Sequence, residues 1–346
     1  MRSKIVSPSL SNLGHLTELF CQYRTFYKQP LDFEKTRKFV FDRLNMKDSI
    51  FFMAYEKGSK VAMGFTQLYP SFTSVGMQRI YILNDLYVAP EYRGKGVSKA
   101  LLTRAHEFSI ENGAQKVSLM TADNNIIAQK LYESLDYNFD TQFSHYNFIL
   151  PQNNITENSF QKLRTLRTSY IKENLELRAV TAKDLESLSV LFDKYRTFYK
   201  KESDISSAKK FLETRLMNND SKIFILENNE TASSVGFAQL YPCFTSVGLQ
   251  RTYILNDLYI IPEYRNQGIG KCVLDFIHQY CMEEGAQKVS LMTAKDNIHA
   301  QKLYEKKGYI LDTTFKHYNL HFPNIAQEVT PLSINHTMDS KVISRH

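Results

Sequence analysis

Two hydrophobic periods alternate along the chain, and they locate its elements. Leu16, Leu19, Phe20, Tyr23 and Tyr27 fall at helical spacing, and residues 33–44 continue as a second helix. Residues 49–55 and 61–69 read as strands separated by a turn at Lys57-Gly58, and 78–88 as a strand that Pro90 ends. Residues 97–112 predict a long helix with Gly113 as its stop signal. A strand over 116–121, a helix over 126–135 and strands over 137–140 and 144–150 follow. The order is β-α-α-β-β-β-α-β-α-β-β. It predicts an α/β three-layer sandwich, a mixed, largely antiparallel sheet with helices on both faces.

The pattern then repeats. Tyr23-Arg-Thr-Phe-Tyr-Lys28 recurs as Tyr195-Arg-Thr-Phe-Tyr-Lys200, and Ile82-Leu-Asn-Asp-Leu-Tyr87 as Ile254-Leu-Asn-Asp-Leu-Tyr259. The offset is 172 residues throughout. Solenoid repeats run to roughly 20–50 residues, so these are duplicated whole domains. The expected organisation is a first domain over 1–150, a linker over 151–175, a second domain over 176–322 and a mobile tail over 323–346. Within the linker, the polar stretch 151–159 reads as loop. Phe160, Leu163 and Leu166 share one face and predict a short helix over 160–173.

Bulk properties narrow the function. The chain has 346 residues, 43% of them apolar, enough for each half to bury its own core. The net charge of +7 is dispersed among acids rather than gathered in basic blocks. This argues against a nucleic-acid partner and suits a polyanionic small ligand equally well. No apolar run approaches the roughly 20 residues of a membrane helix, and the start lacks a signal-peptide pattern. Cys21, Cys243, Cys272 and Cys281 form no CxxC pair and have no histidines at metal spacing. Free thiols, no metal and a cytoplasmic location are the expectations. Oligomeric state is not legible.

Candidate chemistry begins after the central strand. Arg265-Asn-Gln-Gly-Ile-Gly-Lys271 leads into a helix, and Arg93-Gly-Lys-Gly-Val-Ser-Lys99 is its counterpart. Glycines allow close backbone approach, and a helix N-terminus offers free N–H groups and a positive dipole end, which together suit phosphate oxygens. The segment is neither a Walker P-loop nor a GxGxxG dinucleotide fingerprint. On its own it could be a plain strand-to-helix turn.

Two signatures together carry a family resemblance. Leu258-Tyr-Ile-Ile-Pro-Glu-Tyr-Arg-Asn-Gln-Gly-Ile-Gly270 resembles the acetyl-CoA motif of the GNAT N-acetyltransferases, and Asn297-Ile-His-Ala-Gln-Lys-Leu-Tyr-Glu-Lys-Lys-Gly-Tyr309 resembles their second signature. Both occur in both repeats, in the right order. The resemblance covers nearly all of 1–150 and 176–322 and implies two tandem GNAT-like domains with acetyl-CoA as co-substrate. The stretch 253–260 looks most like the diamine acetyltransferase branch, but with Asn256 where that branch has Glu. One fewer negative charge faces the substrate, so a polyamine is not assured as acceptor.

The resemblance implies site residues. Cofactor contacts would come from Tyr259, Ile260, Arg265, Asn266, Gln267, Gly268, Ile269, Gly270, Lys271 and Asn297, and in the first repeat from Tyr87, Val88, Arg93, Gly94, Lys95, Gly96, Val97, Ser98, Lys99 and Asn125. The first repeat departs from the pattern at Ser98, where Gly or Ala is expected, and at Asp136, where Gly follows the helix. These departures imply weaker binding there. Tyr304 and Tyr132 would supply a proton to the leaving thiolate; the same tyrosines could pack on a core face. Asp257 and Asp85 stand in apolar strands where Asp is uncommon, which suggests a base for the amine; a solvated edge position is the alternative. In a regular strand Asn256 and Asp257 would face opposite sides, but this part of a GNAT sheet typically bulges and splays. For the acceptor, Tyr195, Arg196, Tyr199 and Asn256 are candidates, with Tyr23, Arg24, Tyr27 and Asn84 in the first repeat; Tyr241, His317 and Tyr318 are weaker ones. Arg196 could pair with a substrate carboxylate, or the tyrosines could be core and the arginine surface. The expected activity is acetyl transfer to a small primary amine by direct attack in a ternary complex. A protein lysine or N-terminus is the alternative acceptor, and a first repeat that binds without turnover is the alternative division of labour.

Overall fold

Residues 51–54 run Phe, Phe, Met, Ala, and all four are buried. A strand covered on both faces needs a layer on each side. The computed structural model, which describes residues 3–151, 168–172 and 174–322, supplies both layers. The first half runs Ser3–Val6 (β1), Leu13–Phe26 (α1), Phe33–Met46 (α2), Ile50–Glu56 (β2), Ala62–Thr73 (β3), Gln78–Val88 (β4), Val97–Glu111 (α3), Lys116–Ala122 (β5), Ile126–Glu133 (α4), Asn138–Phe139 (β6) and Phe143–Ile149 (β7). Phe51 and Met53 pack with Leu16, Phe20 and Val40 of α1 and α2. Phe52 and Ala54 pack with Leu101 and Leu102 of α3 and Tyr132 of α4.

The second half repeats this order as Thr168–Lys172 (β8), Leu175–Ala179 (β9), Leu185–Phe198 (α5), Ile205–Asn218 (α6), Lys222–Asn228 (β10), Ser233–Thr245 (β11), Gln250–Ile260 (β12), Ile269–Glu283 (α7), Ala286–Ala294 (β13), Ile298–Lys306 (α8), Ile310–Leu311 (β14) and Phe315–His321 (β15). The expected linker helix over 160–173 is corrected at its C-terminal end. Residues 168–172 are a strand, antiparallel to β9 at the sheet's edge. Thr168-Ser-Tyr-Ile is rich in β-branched and aromatic residues and finds an open edge to pair with, which outweighs the helical spacing upstream. The rest of that helix and the expected mobile tail lie outside the described residues.

The sheets are not contiguous in sequence. One runs β1-β2-β3-β4-β5-β15-β6 and the other β14-β7-β13-β12-β11-β10-β9-β8. Each half therefore gives its last strand to the other: β15 lies antiparallel to β5, and β7 to β13. The crossing strands also carry side-chain bonds. Tyr146 donates to Glu305 at 3.0 Å and Tyr318 to Glu133 at 2.9 Å. Where the strands pass, the rings of His145 and His317 stack with centroids 3.5 Å apart. Asp140 and Asp312 flank them. Burial opposes their charge, but His145 and His317 respectively, together with nearby backbone N–H groups, hold both carboxyls down at about 2.

A second exchange involves hairpins. β3 continues through Pro70 to Thr73, and its tip reaches into the other half. Phe72, Val75 and Met77 pack into the α5–α6 core, and Arg215 of α6 lies 3.4 Å over the Phe72 ring. Reciprocally, Phe244, Val247 and Leu249 pack into the α1–α2 core, and Arg43 lies 3.5 Å over Phe244.

Candidate active site

The strand that carries Asp257 is interrupted where chemistry is expected. Gln239 pairs with Asp257, but its neighbour Leu240 pairs with Leu255, so Asn256 is an extra residue. The first half has the same bulge, with Gln67 opposite Asp85, Leu68 opposite Leu83, and Asn84 left over. A bulge re-aims side chains. Asn256 Nδ2 consequently reaches Asp257 Oδ2 at 3.1 Å instead of pointing to the opposite face. Beyond Leu255, β12 has no further ladder with β13, and β4 leaves β5 after Leu83. The two parallel strands splay there, and the glycine turn follows.

Asp257 and Asp85 are almost wholly buried. Burial pushes the Asp257 carboxyl above its ordinary range, while hydrogen bonding by Ser74, Tyr195 and Asn256 works against that rise. Asp85 is raised for the same reason, opposed by Ser246, Asn84 and Tyr23. Asp257 Oδ1 is buried without a hydrogen bond of ordinary length among the described residues. Such an oxygen is costly to leave unpaired, and an incoming N–H group would satisfy it.

Tyrosines line this carboxylate. Tyr195, Tyr199 and Tyr304 all sense its charge, and burial is the main cause holding each phenol above its ordinary value. Tyr23, Tyr27 and Tyr132 stand likewise around Asp85. Tyr304 is 8% exposed and Tyr132 6%, at equivalent places on α8 and α4. Those helices are capped by the Asn297 and Asn125 side chains, each accepting from a backbone N–H at 3.3 Å.

The turn has the backbone a phosphate cradle needs. Asn266 and Gly268 have φ of 60° and 79°, and Gly94 and Gly96 have 70° and 80°. The left-handed region is easy for glycine and tolerable for asparagine, and it folds the chain so that α7 and α3 begin with free N–H groups. No heavy atom lies within 4 Å of where a Cβ on Gly94, Gly96 or Gly268 would sit, so these turns are open. Arg265 folds back to donate to the Ile260 carbonyl at 2.8 Å, and Arg93 to Val88 at 2.9 Å. Their guanidinium groups lie over Tyr259 and Phe198, and over Tyr87 and Phe26. The remaining turn residues, Lys95, Val97, Ser98 and Lys99 in one half and Gln267, Ile269, Gly270 and Lys271 in the other, surround these helix starts. Together the turn, the splay and the open helix N-terminus fit the phosphates and pantetheine arm of acetyl-CoA.

Arg24 and Arg196 stand elsewhere than on a surface. Both are buried. Arg196 donates to the Val75 carbonyl of the first half's hairpin at 3.4 Å and pairs with Asp193 at 3.3 Å. Arg24 donates to Val247 of the opposite hairpin at 3.2 Å and to Thr36 at 3.1 Å. Tyr241 is a core residue beside Phe72, and Tyr318 and His317 belong to the exchanged strand.

Sequence reasoning passed over three pairs of residues at the site. Gly64 and Gly236 lie inside strands, and a Cβ there would come within 2.3 Å of the Tyr87 carbonyl and 2.6 Å of the Tyr259 carbonyl. A glycine in an apolar strand is a visible sign of close backbone approach. Gln67 and Gln239 are fully buried opposite the aspartates. Ser74 and Ser246 reach the aspartates of the other half at 2.5 Å, which no local pattern could reveal.

A twofold-repeated α/β sandwich with a bulged central strand, a splay and a glycine turn before a long helix is the architecture of an acyl-CoA-dependent transferase. The sequence matches the Acetyltransferase (GNAT) family over residues 15–137 and 188–309, and the chain belongs to that family. It is an N-acetyltransferase of a family that uses acetyl-CoA as co-substrate. An uncharacterized N-acetyltransferase, YhfO of Bacillus subtilis, is 41% identical over 149 residues, covering 43% of this chain and 99% of that protein. The D-amino-acid N-acetyltransferase HPA3 of Saccharomyces cerevisiae is 26% identical, covering 41% of this chain and 89% of its own. The thialysine N-epsilon-acetyltransferase of Bos taurus is 33% identical over 73 residues, 21% of this chain and 42% of that one. Among solved structures, a tandem GNAT protein from the clavulanic acid biosynthesis pathway covers 92% of this chain and 98% of its own, with a TM-score of 0.55 at 11% identity. That likeness concerns the fold. Among the described residues no helix is long and apolar enough to cross a membrane.

Proposed function

We propose that both halves transfer acetyl from acetyl-CoA to a small primary amine, of polyamine or amino-acid size, by direct attack in a ternary complex. The observation that carries this is the bulge, which turns Asn256 toward the buried Asp257 carboxylate beside the splay, and Asn84 toward Asp85 likewise. A carboxylate raised by burial is a better base for an ammonium than an exposed one. Asp257 takes the ammonium proton, directly or through a water. The nitrogen lone pair then attacks the thioester carbon. The C–S bond breaks, CoA leaves as its thiolate, and the second nitrogen proton balances that charge.

Tyr304 donates a hydrogen bond to the departing sulfur. Burial keeps its phenol protonated, so it stabilises the thiolate without having to surrender the proton fully. An ordinary thiol titrates near about 8.5, well below this phenol, which makes complete transfer from tyrosine unfavourable. Ile261 donates its N–H to Val235 on β11, so by strand alternation the Ile260 N–H points to the other side, toward the splay, where it suits the carbonyl oxygen. The same residues recur in the first half, which supports turnover there too. The names of two relatives, acetyltransferases of D-amino acids and of thialysine, support an acceptor of amino-acid size. With Arg196 committed to Val75 and Asp193, any acceptor carboxylate would be met by another group.

The test is acetyl-CoA turnover by the whole chain across polyamines, amino acids, aminoglycosides and lysine peptides. The Asp85→Asn/Asp257→Asn double variant should fold and bind acetyl-CoA, yet lose roughly 10²–10⁴-fold in kcat/KM for the best amine. Unchanged kcat/KM would remove the aspartates from the mechanism. A lysine peptide far ahead of every small amine would overturn the acceptor class.

A further inference from the structure

Each aspartate is held by a serine from the other half. The Ser74 hydroxyl donates to Asp257 Oδ2 at 2.5 Å and accepts from Asn256 Nδ2 at 3.0 Å. The Ser246 hydroxyl lies 2.5 Å from Asp85 Oδ2 and 3.3 Å from Asn84 Nδ2. Ser74 is 2% exposed and Ser246 1%, so neither bond is a surface accident. Each serine stands at a hairpin tip whose next carbonyl, Val75 or Val247, accepts from the opposite half's buried arginine. Phe72 is buried beneath Arg215, and Phe244, partly buried, lies beneath Arg43. The tip therefore has little freedom to withdraw from the carboxylate.

We infer that Ser74 and Ser246 are positioning residues acting in trans, each orienting the general base of the other half, so that neither half holds a complete active site. This rests on the reading of Asp257 and Asp85 as the bases. A hydroxyl donating to a carboxylate favours its charged form and fixes which oxygen stays open to the amine. In the second half that leaves Oδ1, which has no ordinary hydrogen bond. The other ionisable groups facing Asp257 are the phenols of Tyr195, Tyr199, Tyr241 and Tyr304. Those facing Asp85 are Tyr23, Tyr27, Tyr69 and Tyr132, with the Cys243 thiol. All are neutral near pH 7, which leaves the serine as the cross-half donor to each base.

The arrangement makes an unusual demand on mutants of the full chain. In an Asp85→Asn background only the second half turns over. Adding Ser74→Ala, a change in the half already disabled, should raise the acidic limb of the kcat/KM profile by about one pH unit, because the charged carboxylate loses a donor. Ser246→Ala in the same background should move that limb by less, although it lies in the half that still works. In an Asp257→Asn background the order should reverse. Ser74→Thr keeps the hydroxyl and should restore the profile, separating lost positioning from misfolding. Larger shifts from the serine in the working half, an equal shift from both, or no shift from either would overturn the inference. If instead the Asp85→Asn/Asp257→Asn chain keeps full activity, the reading of the bases fails, and the serine result does not bear on that failure.

Discussion

At the end of α8, Gly308 has a φ of 85°, and a Cβ there would come 3.3 Å from the Phe148 ring, which the first half contributes through β7. At the end of α4 the equivalent residue is Asp136, with a φ of 64°. The strand β15 brings Leu320, not Phe, to the corresponding place. Phe148 also stacks on His278 with centroids 4.0 Å apart, a ring contact that Leu320 cannot make. The two halves have thus diverged in pairs that span the exchange: glycine with the larger side chain, aspartate with the smaller. The α1–α2 and α5–α6 connections diverge too. Asp193 receives Ser203, the Asp204 backbone and Arg196, whereas Cys21 stands at its place in the first half and Arg24 turns to Thr36. The bulge, both aspartates, both asparagines, both serines and both tyrosines are the same. These differences lie at the ends of α4 and α8 and around Asp193, and the bulge with its aspartate, asparagine and serine is unchanged.

The largest test of this comparison is at the arginines. Arg196→Met leaves Asp193 buried without its cation and releases Val75, so the chain should lose about 3 kcal/mol in urea unfolding. Arg24→Met strands no carboxylate and should cost less, about 1–2 kcal/mol. Equal losses would mean that the hairpin carbonyl, which both arginines bind, dominates over the ion pair.

The helix ends come next. Gly308→Ala introduces a Cβ at positive φ against Phe148 and should cost about 1 kcal/mol or somewhat more. Asp136→Gly should be neutral or slightly stabilising, since it relieves a left-handed non-glycine residue. Combining Gly308→Ala with Phe148→Leu should recover part of the loss if the pair has diverged together. No recovery in thermal melts would show that backbone strain alone sets the cost.

Much of this was legible in the sequence, for identifiable reasons. Element order follows from the 3.6-residue spacing of the helices and from short apolar runs bounded by turn residues, such as residues 51–54, which are buried on both faces. Asp257 was legible because a carboxylate is out of place in an apolar strand, and the turn because glycines precede a helix. The strand exchange was not. Residues 144–150 read as a strand whichever sheet they join, since alternation specifies faces but not partners. Arg196 followed the same logic: its position on α5 is visible, but its acceptor, Val75, is 121 residues away. Ser74 sits in a hairpin tip, where serine is ordinary turn chemistry and carries no hint of Asp257. Contacts between repeats leave no local trace.

The smallest effect concerns the cofactor turn. A Cβ on Gly270 would come 3.1 Å from Leu303 and 3.8 Å from Ile260. In the first half Ser98 stands there, and the equivalents of those two neighbours are Leu131 and Val88, the latter one carbon shorter than Ile260. Both turns nevertheless keep the same left-handed glycine just before the helix, Gly96 and Gly268. The donors offered to phosphate are therefore equivalent, and only side-chain volume at the helix start differs. Titration of the whole chain with acetyl-CoA should show two sites, the tighter in the second half, separated by less than about tenfold, or about 1.4 kcal/mol. Gly270→Ser should draw the two affinities together, because Leu303 must shift by a few tenths of an ångström to admit it. Adding Ile260→Val should widen the gap again by giving that serine the room Ser98 already has. If Gly270→Ser leaves the gap untouched, the difference between the halves does not arise at the turn, and the divergent loop around Asp193 becomes its source.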